Sequence, residues 1–199
     1  MAEISAQAVK ELRERTGAGM MECKKALQET AGGFDKAIDL LRKQGLAKAE
    51  KKSGRVTSQG WIGSYIHSNG RIGVMLEVFC ETDFVARNEK FQEFIRDLSM
   101  HIAGSPQVLA VRPEELDPAI IARERETFAE QVKDKPEKIR EQIVDGKIQK
   151  FYADVCLLHQ KYVKDDSMTV DEFIKSKIAT IGENIMLGRF VRMEFGSQR

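Results

Sequence analysis

The chain has 199 residues, which is long enough for one substantial hydrophobic core or for a small module beside a medium one. Lys and Arg number 32 against 31 Asp and Glu, so the net charge of +1 gives no overall field to attract nucleic acid or an anionic membrane. No apolar run approaches the roughly 18 residues that span a bilayer, and the N-terminus lacks the pattern of a secretory signal. These features predict a cytoplasmic protein that does not bind nucleic acid or membranes directly.

Residues 1–45 contain three short helical patterns separated by glycine. Ser5 is suited to cap the first helix, which is expected to run to Thr16 before Gly17 ends it. The apolar stripes of the second and third helices consist of Met20, Cys23 and Leu27, and of Ile38 and Leu41. The segment therefore predicts an N-terminal helical head, on which Met21 lies off the stripe and is available as a contact surface.

Residues 46–56 predict a basic, partly helical linker between this head and a core domain at 57–199. As a nucleic-acid site the segment is weak, because it is short, contains Glu50 and has no aromatic side chain for stacking bases. Its basic residues are Lys48, Lys51, Lys52 and Arg55.

The pattern changes to period two after the linker, which indicates β-strands. Residues 61–67 and 71–80 flank an Asn69-Gly70 pair, the strongest short-range signal for a β-hairpin. A helix is expected at 88–103, followed by a short strand at 108–111 that ends before Pro113.

The middle third predicts helices over about 118–163, with Asp117 and Pro118 starting one and Pro136 starting the next. They form an antiparallel pair that either lies on the sheet or projects from it. The apolar stripe of the second helix consists of Ile148, Phe151, Tyr152, Val155, Leu158 and Tyr162. A last helix at 169–181 leads to a final strand, expected to join the sheet's core through Ile185, Leu187, Val191, Met193 and Phe195. The elements together predict an α+β fold with an antiparallel sheet.

The segment from Thr82 to Val85 lies where the second hairpin strand gives way to a helix. Phe84 has two interpretations. It could extend the apolar stripe of the following helix backwards, since it is seven residues before Phe91, with Thr82 or Asp83 as the N-cap. Alternatively, the rigid strand and helix present an acidic and aromatic turn to a partner.

The sequence lacks the common catalytic motifs, including a P-loop, a nucleophile elbow, a zinc helix and paired Cys-x-x-Cys. Cys23, Cys80 and Cys156 are an odd number at wide spacing, which favours reduced thiols over a disulfide framework. The carboxylates of Glu81 and Asp83 could share one side of an extended strand, but such a pair is usually a solvated cap. The sequence therefore predicts no catalytic residues, no metal site and no cofactor.

Residues 9–27, VKELRERTGAGMMECKKAL, and the run Thr82-Asp83-Phe84-Val85 are two distinctive motifs. Both resemble the elongation factor Ts family of bacteria and organelles. Further matches lie at residues 136–139, 150–152 and 189–192, so the resemblance covers nearly the whole chain. Glu22 stands where the family usually has aspartate. The chain is also shorter than family members with two related half-cores, which leaves open whether a second copy is supplied by a homodimer.

The resemblance implies a guanine-nucleotide exchange factor that binds elongation factor Tu carrying GDP and accelerates GDP release, without being an enzyme itself. In the family, the turn matching Thr82, Asp83, Phe84 and Val85 enters the partner's nucleotide site and displaces its magnesium. The positions matching Lys10, Arg13, Met20 and Met21 hold the partner's nucleotide-binding domain.

The head also resembles the three-helix ubiquitin-associated fold, which binds peptides and proteins. This likeness gives an alternative function, a non-catalytic interaction adaptor, and it depends on fold analogy alone.

Overall fold

The head is a bundle of three helices in the computed structural model, which describes residues 4–197. They are α1 (Ala6–Thr16), α2 (Met20–Glu29) and α3 (Phe34–Glu50). As predicted, the Ser5 hydroxyl caps α1 by accepting a hydrogen bond from the Ala8 N–H at 3.1 Å. Gly17 ends α1 in the left-handed region, with φ of 67°, where glycine carries no steric cost.

The bundle buries a small core of its own, which consists of Val9, Leu12, Cys23, Ala26, Leu27, Ala37 and Leu41. Met20 was predicted to belong to this stripe, and that prediction is wrong because its side chain is 53% exposed. Met20 is the first residue of α2, so it lies at the helix end rather than over the cluster. The third helix continues to Glu50, so the first five residues of the predicted linker are helical.

Eight α-helices and five strands lie within residues 4–197, and the α+β prediction is confirmed. The strands are β1 (Gln59–Ile66), β2 (Ile72–Cys80), β3 (Lys161–Tyr162), β4 (Asp165–Thr169) and β5 (Ile185–Glu194). The other helices are α4 (Asp83–Ala86), α5 (Glu89–Ala103), α6 (Pro118–Gln131), α7 (Glu137–Val155) and α8 (Val170–Ile181). The main sheet has the order β1-β2-β5, and β3 and β4 form a separate antiparallel pair.

The predicted hairpin is present, with Gly70 at its turn in the left-handed region at φ of 67°. β2 and α5 each have a buried apolar face. Their buried members are Val74, Leu76, Val78 and Cys80 on the strand, and Phe91, Phe94, Ile95, Leu98 and Ile102 on the helix.

The described chain divides into two compact units. The first contains residues 4–61, Val78–Phe94 and Glu172–Met186, and so includes the head, α4 and most of α8. The second contains Ile62–Glu77, Ile95–Asp171 and residues 187–197, which include α6 and α7. The division into head, linker and core at 1–45, 46–56 and 57–199 stays a prediction.

Two predictions in the second unit are wrong. Residues 108–111 form no strand, and only Ala110 makes an isolated parallel bridge, to Cys156. The second long helix ends at Val155 instead of continuing through Tyr162 to 163. After Cys156 leaves the helical conformation, the N–H groups of residues 157 and 158 donate to the carbonyls of residues 110 and 111, at 2.9 and 3.2 Å. Pairing with a distant segment therefore replaces the next helical turn.

The end of β5 does not join the core as predicted. Ile185 and Leu187 are buried, but Val191, Met193 and Phe195 are exposed. All these residues alternate on one face of β5, where Arg189 pairs across the strands with Glu77 at 3.7 Å, so this face is buried at the start of the strand and exposed from Arg189 onwards. The same side carries further exposed apolar residues, and we call this set the outer sheet face: Ile62, Ile66, Met75, Val191 and Met193.

His101 is a buried histidine that the sequence did not single out. Its Nε2 lies 2.9 Å from Gln160 Oε1, and its Nδ1 accepts from the Val163 N–H at 3.2 Å. The ring is therefore neutral, with its proton on Nε2. Burial lowers the pKa of His101 below its usual 6.5, although the Gln160 hydrogen bond partly opposes this shift.

We expect this histidine to make the protein less stable in mild acid. Because the pKa is lower in the folded state, the unfolded chain binds the proton first as pH falls below 6.5. Stability from His101 is complete above that pH and is lost as pH falls through the folded pKa. Thermal unfolding followed over this range should show a steeper loss for the wild type than for His101→Gln. Parallel pH profiles would contradict the prediction, and His67→Gln, at an exposed position, serves as the control.

Candidate protein-binding site

The turn at residues 82–85, called here the Phe84 turn, connects β2 to α5 and contains the start of α4. Thr82 is the N-cap of α4, and its hydroxyl accepts from the Val85 N–H at 3.3 Å. Val85 is buried and anchors the turn, whereas the Phe84 side chain is 79% exposed. The interpretation of Phe84 as part of the α5 stripe is therefore wrong, because its ring is not in the core.

Asp83 lies beside Phe84 on the exposed side of the turn and pairs with Arg87 at 3.4 Å. This contact joins residues one helical turn apart in solvent, where such pairs contribute little stability. The carboxylate can therefore exchange this partner for another without a large cost.

Glu81 points to different partners from Asp83. Its Oε1 accepts from the Asn184 N–H at 2.6 Å and lies 3.5 Å from Arg55 Nη1. The two carboxylates thus have separate structural partners.

Glu183 supports the turn from the segment between α8 and β5, and sequence reasoning missed it. Its carboxylate accepts from the N–H groups of Glu81 and Thr82 and from the Thr82 hydroxyl. The Cys80 thiol donates to the Thr82 carbonyl at 3.2 Å. Burial raises the pKa of the Cys80 thiol, and the nearby Glu183 charge adds to that rise, so this thiol stays protonated. The only local signal for Glu183 was a polar Gly-Glu-Asn run before a strand, which is typical of any turn.

The four head residues singled out from the sequence are all exposed on α1 and α2. Lys10 and Arg13 lie on α1. Lys10 Nζ lies 3.9 Å from Glu14 Oε1, and this ion pair is too exposed to solvent to restrain the Lys10 side chain. Met20 and Met21 start α2, at 53% and 65% exposure. The head residues and the Phe84 turn belong to the same compact unit.

Glu22 has a structural role at the start of α2. Its carboxylate accepts from the Gly19 N–H at 3.4 Å and pairs with Lys48 of α3. The Lys48 hydrogen bond lowers the pKa of Glu22, and burial partly opposes this. The acidic side chain thus closes a capping box and joins two helices of the head.

Basic residues of the predicted linker are also used inside the first unit. Lys52 Nζ donates to the Gly182 carbonyl at 2.6 Å, and Arg55 pairs with Glu81. These contacts give the cations structural partners of their own.

The three cysteines are buried and unpaired, as expected for reduced thiols. Among residues 4–197, no cluster of three or more His, Cys, Asp or Glu side chains is arranged to hold a metal ion. Over the same range, no helix combines the length and the hydropathy needed to cross a membrane.

Comparison with known proteins gives a family for the chain. The family model for elongation factor Ts matches residues 2–197. The chain is 57% identical to elongation factor Ts of Nitratidesulfovibrio vulgaris over 197 residues, which cover 98% of each protein. It is 56% identical to elongation factor Ts of Geobacter metallireducens, covering 97% of this chain and 90% of the relative. A longer relative from a Cyanothece species is 53% identical and is covered over 75% of its length. The chain therefore belongs to the elongation factor Ts family of translation elongation factors.

Proposed function

We propose that the protein is a guanine-nucleotide exchange factor that binds GDP-bound elongation factor Tu and promotes GDP release. The observation that carries this proposal is the exposed phenyl ring of Phe84 on a turn whose backbone is fixed on both sides. An exposed aromatic ring on a rigid support is typical of a binding residue, because large apolar side chains gain most from burial in a partner. Family membership supports the same function.

In this proposal the Phe84 turn enters the partner beside its nucleotide. The ring supplies apolar bulk that displaces elements of the partner, and Asp83 places a negative charge near the phosphates. Magnesium and backbone dipoles hold a nucleotide largely by electrostatics, so displacing the metal weakens nucleotide binding steeply. Exchange factor and nucleotide then weaken each other's binding by the same factor, as linkage requires.

The head supplies affinity in this proposal. Lys10 and Arg13 offer charges, and Met20 and Met21 offer adaptable apolar side chains on one end of the bundle. We further infer that the protein acts in the cytoplasm as a binding protein and carries out no covalent chemistry of its own.

The proposal is tested by measuring the loss of fluorescently labelled GDP from elongation factor Tu with and without the protein. Acceleration that saturates with protein concentration is the expected result. Binding to elongation factor Tu without faster release would instead support the adaptor function suggested by the ubiquitin-associated-like head.

Replacing Met21 with alanine should weaken the complex without destabilising the head, because the side chain is exposed and contributes contact area only. We expect an affinity loss of about fivefold to tenfold, which corresponds to roughly 1 to 1.4 kcal/mol at an interface. Titration calorimetry against GDP-bound elongation factor Tu measures it. Leu109→Ala, which removes an exposed apolar side chain from the second unit, is the matched control, and wild-type affinity of Met21→Ala would defeat the assignment.

The homodimer considered from the chain length stays a prediction. The outer sheet face would be the surface for a second copy, because it gathers exposed apolar side chains around an Arg189–Glu77 pair. In a two-fold interface, each of these charges could face its opposite on the other copy.

A further inference from the structure

We propose that Glu183 is the positioning residue that fixes the Phe84 turn for nucleotide exchange, an inference that rests on the exchange function proposed above. Its carboxylate takes three hydrogen bonds from two successive residues. Oε2 accepts from the N–H groups of Glu81 and Thr82, each at 3.1 Å, and Oε1 accepts from the Thr82 hydroxyl at 2.6 Å. These residues immediately precede Asp83 and Phe84, so their orientation sets the direction in which the ring leaves the surface.

The segments at residues 81–82 and 183–184 each accept a hydrogen bond from the other's backbone. Glu183 accepts from the backbone of Glu81, and the Glu81 carboxylate accepts from the Asn184 N–H at 2.6 Å. Asn184 is buried, and its side-chain amide donates to the carbonyls of Ser53 and Arg55, at 3.2 and 2.9 Å. The support of the Phe84 turn is therefore also joined to the segment that follows α3.

The charge on Glu183 determines the direction of the Thr82 hydrogen bonds. An ionised carboxylate only accepts, so the Thr82 hydroxyl proton points to Glu183 and an oxygen lone pair remains for the Val85 N–H. That second bond caps α4, the short helix that carries Phe84. Because bonds to a charged acceptor are shorter and stronger than neutral ones, the turn gains order from the carboxylate that an amide would not give.

Removing the hydrogen bonds of Glu183 should slow GDP release without weakening binding to elongation factor Tu. The head residues that provide affinity lie on α1 and α2, whereas Glu183 lies between α8 and β5, so association should persist. An unfixed ring, however, reaches its productive position in only a fraction of complexes. We therefore expect the rate of GDP release from the saturated complex to fall, with little change in the concentration that gives half of that rate.

The experiment compares Glu183→Ala, Glu183→Gln and wild type in stopped-flow release of labelled GDP from elongation factor Tu. Glu183→Ala should lower the saturated rate about tenfold, equivalent to about 1.4 kcal/mol. Glu183→Gln keeps the size of the side chain but presents one acceptor oxygen, so its rate should fall between the other two. Glu89→Gln, which removes an exposed carboxylate in the same unit, is the control and should keep the wild-type rate.

Amide hydrogen exchange of the free protein gives a readout that does not depend on the exchange function. The N–H groups of Glu81 and Thr82 should exchange faster in Glu183→Ala than in wild type, while α1 to α3 keep their protection. The inference is wrong if these two amides keep their wild-type protection in Glu183→Ala. It is also wrong if this variant keeps the wild-type saturated rate of GDP release, or changes only the concentration that gives half of that rate. If wild-type protein itself fails to accelerate GDP release, the proposed function fails, and the amide measurement still decides whether Glu183 fixes the turn.

Discussion

Replacing Phe84 with alanine should slow GDP release from elongation factor Tu by roughly 10- to 100-fold at saturating exchange factor. Burying a phenyl ring in a partner is worth about 1.5 to 3 kcal/mol, and this range corresponds to that loss of rate if the energy is used to open the nucleotide site. The ring is 79% exposed in the free protein, so its removal should leave thermal stability within about 0.5 kcal/mol of wild type. Stopped-flow fluorescence with labelled GDP measures the rate.

Two further variants sharpen the result. Phe84→Leu keeps part of the apolar bulk and should release GDP at an intermediate rate. Phe195→Ala removes a ring of similar exposure, 73%, from the second unit and should behave as wild type. If Phe84→Ala released GDP at the wild-type rate when saturating, the ring would have no part in opening the nucleotide site.

The exposure of Phe84 could not be predicted from hydrophobic periodicity. Its spacing from Phe91 fits a continued helix stripe, and the same residues fit a turn that presents a ring. The choice depends on whether one helix is continuous from Phe84 to Phe91, and it is not, because α4 ends at Ala86 and α5 begins at Glu89. Seven-residue spacing alone does not show whether the helix between two residues is continuous.

Elements whose ends are set by residues close in the chain were predicted correctly. The hairpin is specified by alternating apolar residues around Asn69-Gly70, and the first helix by Ser5 and Gly17 at its ends. The end of α7 was not predicted correctly, because the N–H groups of residues 157 and 158 donate to the carbonyls of residues 110 and 111 instead of continuing the helix. The strand at 108–111 was not either, because its pairing with this segment is limited to one bridge. The exposed end of β5 was also missed, since alternation identifies one face of a strand but not how far along the strand that face is covered.

Replacing Leu12 with alanine should have the largest effect on stability of the changes considered for the head. The Leu12 side chain is fully buried in a cluster that α1, α2 and α3 share. Removing it should cost about 2 to 5 kcal/mol, through lost transfer energy and the cavity left behind. A bundle of this size has a small core, so such a loss is a large fraction of its local stability.

The consequence for function differs from that of Phe84→Ala. When the bundle opens, Arg13 and Met21 are no longer held on one surface, so Leu12→Ala should weaken association with elongation factor Tu. Hydrogen exchange should rise across α1 to α3 while α7 in the second unit keeps its protection, and calorimetry should show reduced affinity. Leu109→Ala, at an exposed leucine of the second unit, is the matched control. Wild-type affinity in a variant whose head has lost its protection would contradict the assignment of binding to a folded head, because an unfolded bundle cannot present these residues together.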